Sequence, residues 1–248
     1  MRRFALAVGN STVKLGVFDG QSLQAQRQWP HAELEAADAV RVALADAGVQ
    51  AGSLVGVCSV VPLLAARIAE ALAALGADTE IVDVLRGPLP LRYRTPGTLG
   101  ADRYCVAVAA RAMFGAPVLV VDCGTALTIN VVDTEGYFAG GSIAPGIGTA
   151  FRVMHEGTAQ LPMLDVADAP LVGGDTEESM RSGVLHLYRH GVAGMLHAMK
   201  RQTGLHTPVV LTGGDAALLA EGGVEHTACD ANILLRGIIF YLLFVRGE

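Results

Sequence analysis

Two short turns in this 248-residue chain have the composition of turns that hold polyphosphate. Gly9-Asn10-Ser11-Thr12 and Gly124-Thr125-Ala126 each lie between two short apolar runs, so each is predicted to join the strands of a hairpin. A tight turn of glycine and small hydroxyl residues directs several backbone N–H groups into one concavity and adds hydroxyl donors. The sequence therefore predicts two places where phosphate oxygens can be held largely by backbone.

Asp122 stands two residues before the glycine of the second turn, at the end of a predicted strand. A carboxylate in that position can hold a cation directly or through water. A turn-capping aspartate is the alternative interpretation, and the residues alone leave both open.

Gly100-Ala101-Asp102-Arg103 opens a predicted helix after a segment rich in glycine and proline. Aspartate at a helix start is most often an N-cap. The functional interpretation is a general base next to an arginine that binds an anionic substrate. Arg103 lies in the first helical turn, against the helix dipole, and this position favours a ligand for its charge.

Three common enzyme signatures are absent from the sequence. Neither Lys14 nor Lys200 follows a Walker A frame, and Gly146-Ile147-Gly148 leads to Phe151 where a dinucleotide-binding loop has glycine. Gly140-Gly141-Ser142 continues to Ala144 instead of closing a nucleophile elbow. The sequence therefore argues against P-loop, Rossmann and α/β-hydrolase proteins.

The composition and charge of the chain indicate which partners it is expected to bind and in which compartment it is expected to lie. With a formal net charge of −6 and no Lys/Arg cluster, the chain is expected to bind no nucleic acid. The most apolar stretch, residues 233–245, is shorter than a membrane span, and the turn at Gly9 comes too soon for a signal peptide, so no membrane partner is expected. Four cysteines without a C-x-x-C pair are expected to be buried free thiols, and a cytoplasmic location is the default expectation.

Hydrophobic periodicity places these motifs on alternating strands and helices. Strands are predicted over 4–8, 13–18, 54–61, 79–84, 118–121, 127–132 and 209–211, and helices over 31–47, 62–75, 102–114, 177–201 and 231–244. Aligning Gly9 with Gly124 superimposes strand, turn and strand in both halves, although any two glycine hairpins would look alike. The repeat predicts two α/β lobes, over 1–115 and 116–248, that face a cleft.

Taken together and in order, seven motifs resemble those of the type III pantothenate kinases, relatives of the Bvg accessory factor proteins. They are Gly9-Asn10-Ser11, Gly100-Ala101-Asp102-Arg103, Asp122-Cys123-Gly124-Thr125-Ala126, Gly140-Gly141-Ser142-Ile143-Ala144-Pro145-Gly146, Gly157-Thr158-Ala159 before Leu161-Pro162, Asp175-Thr176-Glu177-Glu178 and Leu211-Thr212-Gly213-Gly214. Each motif is weak alone, but the ordered set is specific and spans nearly the whole chain.

The resemblance implies an α/β fold of two ribonuclease-H-like lobes in the actin-like, sugar-kinase-like superfamily, with ATP bound between them. It implies transfer of the γ-phosphoryl group of ATP to pantothenate, giving 4'-phosphopantothenate in the first step of coenzyme A synthesis. ATP is expected with Mg²⁺, a monovalent cation (K⁺ or NH₄⁺) is expected as well, and the family is typically homodimeric.

The family's functional residues can be carried over by position. Asp102 matches the proton acceptor, and Asp122 matches a monovalent-cation ligand. Pantothenate contacts match Tyr93, Gly100, Ala101, Asp102, Arg103 and Thr176. ATP contacts match Ala7, Val8, Gly9, Asn10, Ser11, Thr12, Val13, Lys14 and Thr125.

Two positions depart from the family pattern. Ala7 stands where the family has an aspartate at which phosphate and magnesium meet, and Asn130 stands where it has a second aspartate. Ala7 supports an alternative, a catalytically impaired homologue that acts as a ligand-binding or regulatory protein. A kinase of the same fold for another hydroxyl substrate is a third interpretation.

Overall fold

The computed structural model describes residues 2–36, 38–204 and 206–248. It divides into two compact units, Met1–Met113 with Asn232–Glu248, and Phe114–Ala231. The first unit is thus assembled from two chain segments. The sequence predicted a division near residue 115 but assigned everything beyond it to the second lobe.

The first unit contains a five-stranded mixed sheet. Its elements are β1 (Arg2–Val8), β2 (Thr12–Asp19), β3 (Ser22–Pro30), a 3₁₀ helix (His31–Leu34), α1 (Ala39–Asp46), β4 (Leu54–Ser59), α2 (Pro62–Ala74), β5 (Asp78–Ile81), a second 3₁₀ helix (Pro96–Thr98) and α3 (Ala101–Phe114). The strand order is β3-β2-β1-β4-β5. β1 pairs antiparallel with β2, and β2 with β3, whereas β4 and β5 are parallel to β1.

The second unit contains a second five-stranded sheet. Its elements are β6 (Val118–Cys123), β7 (Ala126–Val132), β8 (Phe138–Pro145), α4 (Ile147–Glu156), α5 (Thr176–Thr203), β9 (Val209–Thr212), α6 (Ala216–Glu221) and β10 (Ala228–Cys229). The strand order is β10-β9-β6-β7-β8. A last helix, α7 (Ile233–Arg246), returns to the first unit.

The two sheets have the same connectivity, so the predicted internal repeat is confirmed. β6 to β10 take the places of β1, β2, β3, β4 and β5, with the same pattern of antiparallel and parallel pairs. Both glycines used for the alignment close their hairpins with a backbone hydrogen bond of 3.0 Å, but Gly9 N–H donates to Thr12 O and Gly124 N–H to Ala126 O, so the first turn is one residue longer. This alignment also places Ala7 of β1 in the position of Asp122 of β6.

The first sheet buries different residues on its two faces. Phe4, Leu6 and Val8 of β1 belong to the core cluster formed with α1 and α2. Ala5 and Ala7 point to the other face, because side chains alternate along a strand. Helix α7 covers that face, where Gly16 and Gly56 leave room for Leu235 and Ile238.

Gly237 sets the contact between α7 and α3. A Cβ atom there would overlap the carbonyl oxygen of Cys105 in α3, so only glycine allows the two helices to approach this closely. The sequence showed an apolar helix at this point but not which sheet it would cover, because apolar periodicity carries no information about the partner surface.

We expect the variant Gly237→Ala to destabilise the protein by about 1–3 kcal/mol, the usual cost of overpacking a filled core. Gly183→Ala is the matched control, because a Cβ at that position of α5 would meet no atom within 4 Å. Alanine is favoured over glycine within helices, so the control is expected to be neutral or stabilising. Urea unfolding of both variants measures the difference, and equal effects would contradict the close contact at Gly237.

Several sequence predictions differ from the structure. The predicted helix over 31–47 is a 3₁₀ helix followed by the shorter α1, with Ala37 outside the described residues. β3, β8, β10, α4 and α6 were not predicted, and α5 extends beyond the predicted bounds of 177–201 at both ends. All four cysteines are free thiols as predicted, but Cys229 is exposed rather than buried. Within the described ranges, no helix is long and apolar enough to cross a membrane.

Candidate active site

Ala7 lies near the end of β1, between two residues of the neighbouring strands. It is paired with Lys14 of β2 and with Cys58 of β4, and directly paired residues project from the same face of a sheet. The methyl group is buried, with 3% of its surface exposed. The position that the family gives to an aspartate is therefore an apolar contact here, with the Lys14 side chain directly beside it.

The first turn follows immediately and is fixed by backbone hydrogen bonds. Gly9 N–H closes the hairpin and is not available to a ligand, whereas Asn10 and Ser11 lie exposed at the tip. Ser11 O accepts from the backbone N–H of His31, and Val8 O accepts from Val60 N–H, at 3.3 and 3.1 Å. At least one backbone donor of the turn, Gly9 N–H, is therefore already used within the hairpin.

Asp102 occupies the first turn of α3. Its Oδ1 atom accepts a hydrogen bond from the backbone N–H of Arg103 at 2.8 Å, and the Arg103 side chain is buried. Asp102 is the second residue of α3 and bonds to the next residue, so it is not the N-cap that the sequence suggested. This local bond uses one carboxylate oxygen. The second oxygen keeps its acceptor capacity for a substrate hydroxyl.

Two buried thiols, Cys58 and Cys105, indicate that Asp102 and Ala7 lie in the same part of the first unit. A hydrogen bond with Cys105, one turn along α3 from Asp102, raises the pKa of Cys58, and burial and the charge of Asp102 act in the same direction. Cys58 is also the β4 partner of Ala7. The start of α3 and the end of β1 are therefore brought to the same part of the first unit.

Tyr104 fixes the irregular segment that precedes α3. Its hydroxyl donates to Leu89 O at 3.0 Å and accepts from Leu89 N–H at 2.9 Å, and burial raises the pKa of this phenol. Gly87 packs against the Tyr104 ring so closely that a Cβ there would lie 2.7 Å from it. Tyr93, predicted to contact the substrate, is half-buried in this anchored segment.

In the second unit, Asp122 heads a polar strip on one face of the sheet. It pairs with Thr128 of β7 and with Thr212 of β9. Asn130 is fully buried, and its Nδ2 atom donates to Thr128 Oγ1 at 3.0 Å. Gly213 follows with φ +94°, and a Cβ there would lie 2.6 Å from Asp122 Oδ1, so glycine allows the chain to pass close to the carboxylate.

Thr125 lies at the exposed tip of the second turn. Its carbonyl oxygen accepts from Gly146 N–H at 3.0 Å and from Thr149 Oγ1 at 2.8 Å, which fixes the turn against the start of α4. A Cβ at Gly146 would overlap Gly124 O, so this contact also requires glycine. The tip is therefore rigid in its backbone while the Thr125 side chain faces solvent.

Thr176, the first residue of α5, lines an open pocket of about 520 Å³. Asp175 caps the helix by accepting from Glu178 N–H at 2.8 Å. Glu178 Oε2 accepts from Gly174 N–H at 2.8 Å, one residue before the N-cap residue that a capping box would use. These two bonds fix the start of α5 at the wall of the pocket.

The residues at the two turns differ in their fit to a metal ion. Magnesium needs one or two carboxylates to fix it, and Ala7 supplies none, so the first turn does not fit a protein-held magnesium ion. Asp122 with the hydroxyls of Thr128 and Thr212 offers the oxygen ligands that a hard monovalent cation prefers. Among residues 2–36, 38–204 and 206–248, no group of three or more His, Cys, Asp or Glu side chains is placed to hold a metal ion.

The repeated connectivity, three antiparallel strands followed by two parallel ones, is that of a ribonuclease-H-like unit. Two such units, each with a glycine turn after its first strand, define an α/β protein of the actin-like, sugar-kinase-like superfamily.

Solved structures agree with this fold. A Baf family protein from Campylobacter jejuni matches with a TM-score of 0.64 at 17% identity, covering 98% of both chains. An inorganic polyphosphate/ATP-glucomannokinase from Arthrobacter matches with a TM-score of 0.52 at 14% identity, covering 99% of this chain and 98% of that one.

The sequence identifies the family more closely. The family model for type III pantothenate kinase matches residues 3–198. A type III pantothenate kinase from Thermomicrobium roseum is 36% identical over 240 residues, which cover 93% of both chains. The chain belongs to the type III pantothenate kinase family, and the resemblance noted from the motifs is confirmed.

Sequence reasoning missed four residues that shape these surroundings. Cys58 of β4 pairs with Ala7 of β1 and interacts with Cys105 of α3, the helix that carries Asp102. Tyr104 anchors the segment before α3, and the backbone N–H of His31 donates to the first turn. The apolar context of the cysteines indicated burial but not a pairing. Nothing in the sequence placed His31 at the turn, because the strand that brings it there was not predicted.

Proposed function

We propose that this protein transfers the γ-phosphoryl group of ATP to the primary hydroxyl of pantothenate, giving 4'-phosphopantothenate and ADP, the first step of coenzyme A synthesis. Membership of the type III pantothenate kinase family over nearly the whole chain carries this proposal. The relatives do not favour the impaired, regulatory alternative. The kinases of this family and fold use ATP with a divalent metal, which neutralises phosphate charge.

In this proposal Asp102 is the general base. The pantothenate hydroxyl oxygen attacks the γ-phosphorus, its proton passes to the free carboxylate oxygen of Asp102, and the bond from phosphorus to the bridging oxygen of ADP breaks. Arg103, buried in the same helical turn, binds the pantothenate carboxylate, with Gly100, Ala101, Tyr93 and Thr176 as further contacts. Phosphoryl transfer depends mainly on positioning, and the anchored segments around these residues support that role.

The proposed nucleotide contacts of the first unit are the residues from Ala7 to Lys14. In the second unit, Thr125 contacts ATP and Asp122 binds the monovalent cation, K⁺ or NH₄⁺. The oxygen-rich strip of Asp122, Thr128 and Thr212 supports a cation of this kind, although Asn130 contributes no charge to it. We also propose a cytoplasmic location, since the four free thiols suit a reducing compartment.

ADP release with and without pantothenate, in potassium and in sodium buffer, tests the proposed reaction. We expect release that depends on pantothenate and is faster in potassium. Release driven by another hydroxyl compound but not by pantothenate would favour a different substrate. Absence of release under every condition, from a folded protein, would favour the regulatory alternative.

We further propose a two-fold homodimer formed through α5. Three apolar side chains of α5 face the protein's own core, since Met180 and Val184 lie in it and Met199 packs against it. Leu187 and Met195 remain exposed, by 71% and 38%. The apolar surface that α5 leaves for a partner is therefore centred on these two residues.

Light scattering at micromolar concentration is expected to report a dimer, and the double variant Leu187→Glu/Met195→Glu a monomer, because charges at an apolar interface are costly. Leu85→Glu is the control, since Leu85 is exposed to a similar extent, 67%, but lies in the first unit. A wild-type monomer, or equal dissociation of the control, would contradict an interface on α5.

A further inference from the structure

Two histidines of α5 lie one helical turn apart on the same side of the helix. His186 and His190 are four positions apart, the spacing at which side chains on a helix are neighbours. Their ring centroids are 6.2 Å apart and the ring planes are inclined by 23°. A metal ion lies about 2.0–2.1 Å from each ligating nitrogen, and thus roughly 3.2 Å from each ring centroid, so two rings that share an ion have centroids at most about 6.4 Å apart. The observed separation is within this limit.

A hydrogen bond fixes the orientation of the His186 ring. Its Nε2 atom lies 3.2 Å from the backbone carbonyl oxygen of Ala169. Because a carbonyl oxygen only accepts, Nε2 carries the proton of this bond, and the lone pair of the neutral ring is on Nδ1. Histidines that bind metals almost always donate their other ring N–H in this way, to a carboxylate, a backbone carbonyl or water. His186 is therefore held in a form that suits metal binding through Nδ1.

The segment that supplies this carbonyl oxygen is itself tied to α5. Before it, Arg189 Nη1 donates to Asp168 Oδ1 at 3.1 Å. After it, Ser182 Oγ donates to Leu171 O at 2.7 Å. The support for His186 is thus a fixed part of the second unit. The ion pair also balances the charge of Arg189, which stands between the two histidines in the sequence.

The surroundings of the histidine pair are open. His190 is exposed, and His186 is half-buried. A Cβ atom at Gly183, one turn before His186, or at Gly194, one turn after His190, would meet no atom within 4 Å. In the described ranges no third His, Cys, Asp or Glu completes a set of three ligands. An ion held by the pair therefore keeps water in its remaining coordination positions.

We propose that His186 and His190 form a binding site for a divalent ion of the later first-row metals, such as Zn²⁺, Ni²⁺ or Cu²⁺. Imidazole nitrogen suits these ions, whereas Mg²⁺ prefers oxygen ligands, so the site does not serve the magnesium that accompanies ATP. Thr176, the residue of α5 assigned to the substrate, lies ten residues before His186, about 15 Å along the helix axis. The metal site is therefore additional to the proposed kinase reaction and does not depend on it.

Calorimetric titration of the full chain with Zn²⁺, without nucleotide, tests this site. We expect one ion to bind per chain, Cu²⁺ to bind more tightly than Zn²⁺, and excess Mg²⁺ not to displace either. His186→Gln and His190→Ala should each weaken Zn²⁺ binding by at least about tenfold, since losing a ligand costs no less than losing a group that supports one. Glutamine keeps a donor for Ala169 O, and His190 is exposed, so both variants should fold.

His197→Ala is the matched control. His197 is exposed on the same helix but lies seven residues beyond His190, about 10.5 Å along the axis, which is too far to share an ion with it. This variant should bind Zn²⁺ as the wild type does. Equal weakening by all three substitutions would overturn the inference, as would wild-type protein that binds no Zn²⁺. Binding that is unchanged when both His186 and His190 are replaced would place the ion elsewhere and also overturn it.

Discussion

Replacing Asp102 with asparagine is expected to lower kcat by about 10²- to 10⁴-fold, the usual contribution of a general base. Asparagine keeps the Oδ1 atom that accepts from Arg103 N–H, so the start of α3 should be unchanged. What is lost is the ability to take the hydroxyl proton. Because that loss is confined to the chemical step, ATP affinity should change little, and steady-state kinetics with calorimetry measures both.

Asp133→Asn is the control for this substitution. Asp133 makes the same kind of local bond, accepting from the backbone N–H groups of Glu135 and Tyr137 at 3.0 Å, in a turn of the second unit. This variant should turn over at the wild-type rate. If Asp102→Asn does the same, Asp102 serves only in the local hydrogen bond at the start of α3.

Ala7→Asp is expected to raise kcat/KM for ATP with magnesium at least about tenfold, roughly 1.4 kcal/mol of transition-state stabilisation. The new carboxylate would give magnesium a fixed ligand at the end of β1 and so lower the magnesium concentration that the reaction needs. The new carboxylate would also lie opposite Lys14 in the β1–β2 register. ADP release against magnesium concentration records both the rate and the magnesium requirement.

Ala7→Asn separates the charge of the new side chain from its size. It adds the same number of atoms to a position that is only 3% exposed, but no charge, so it should leave the magnesium requirement unchanged. Unchanged or reduced activity of Ala7→Asp would mean that alanine at this position does not impair the reaction. Thermal unfolding of both variants checks that either side chain is tolerated at this buried position.

The sequence predicted the hairpins and their turns well because local signals specify them. Glycine, asparagine and small hydroxyl residues between β-branched runs mark a turn whatever the rest of the fold does. Ala7 was placed on its strand by the same signals, and Asp102 by the signals of a helix start. Asp122 lies in β6 and Thr176 in α5, each just outside the predicted strand 118–121 and helix 177–201. β3 was missed because its Ser22–Pro30 segment is exposed on both faces and shows no apolar alternation.

Contacts distant in sequence could not be predicted in this way. The pairing of Ala7 with Lys14 follows from hairpin register once the turn length is known, but its pairing with Cys58 depends on a parallel crossover. The hydrogen bond between His31 and Ser11 depends on a strand that carries no periodic signal. The charge balance at the first turn therefore became visible only once the strands were in register.

Because α7 packs on the first sheet but follows the second unit in the chain, it affects the order in which the two units can fold during synthesis. A ribosome releases the strands of the first sheet early, at about 5–20 residues per second, but the helix that covers Gly16 and Gly56 emerges only after the whole second unit. The second unit is continuous in the chain and can close first, although its synthesis starts later. During that interval the uncovered sheet presents apolar surface that invites aggregation or chaperone binding. Interrupted translation would therefore damage the first-made unit, not the second.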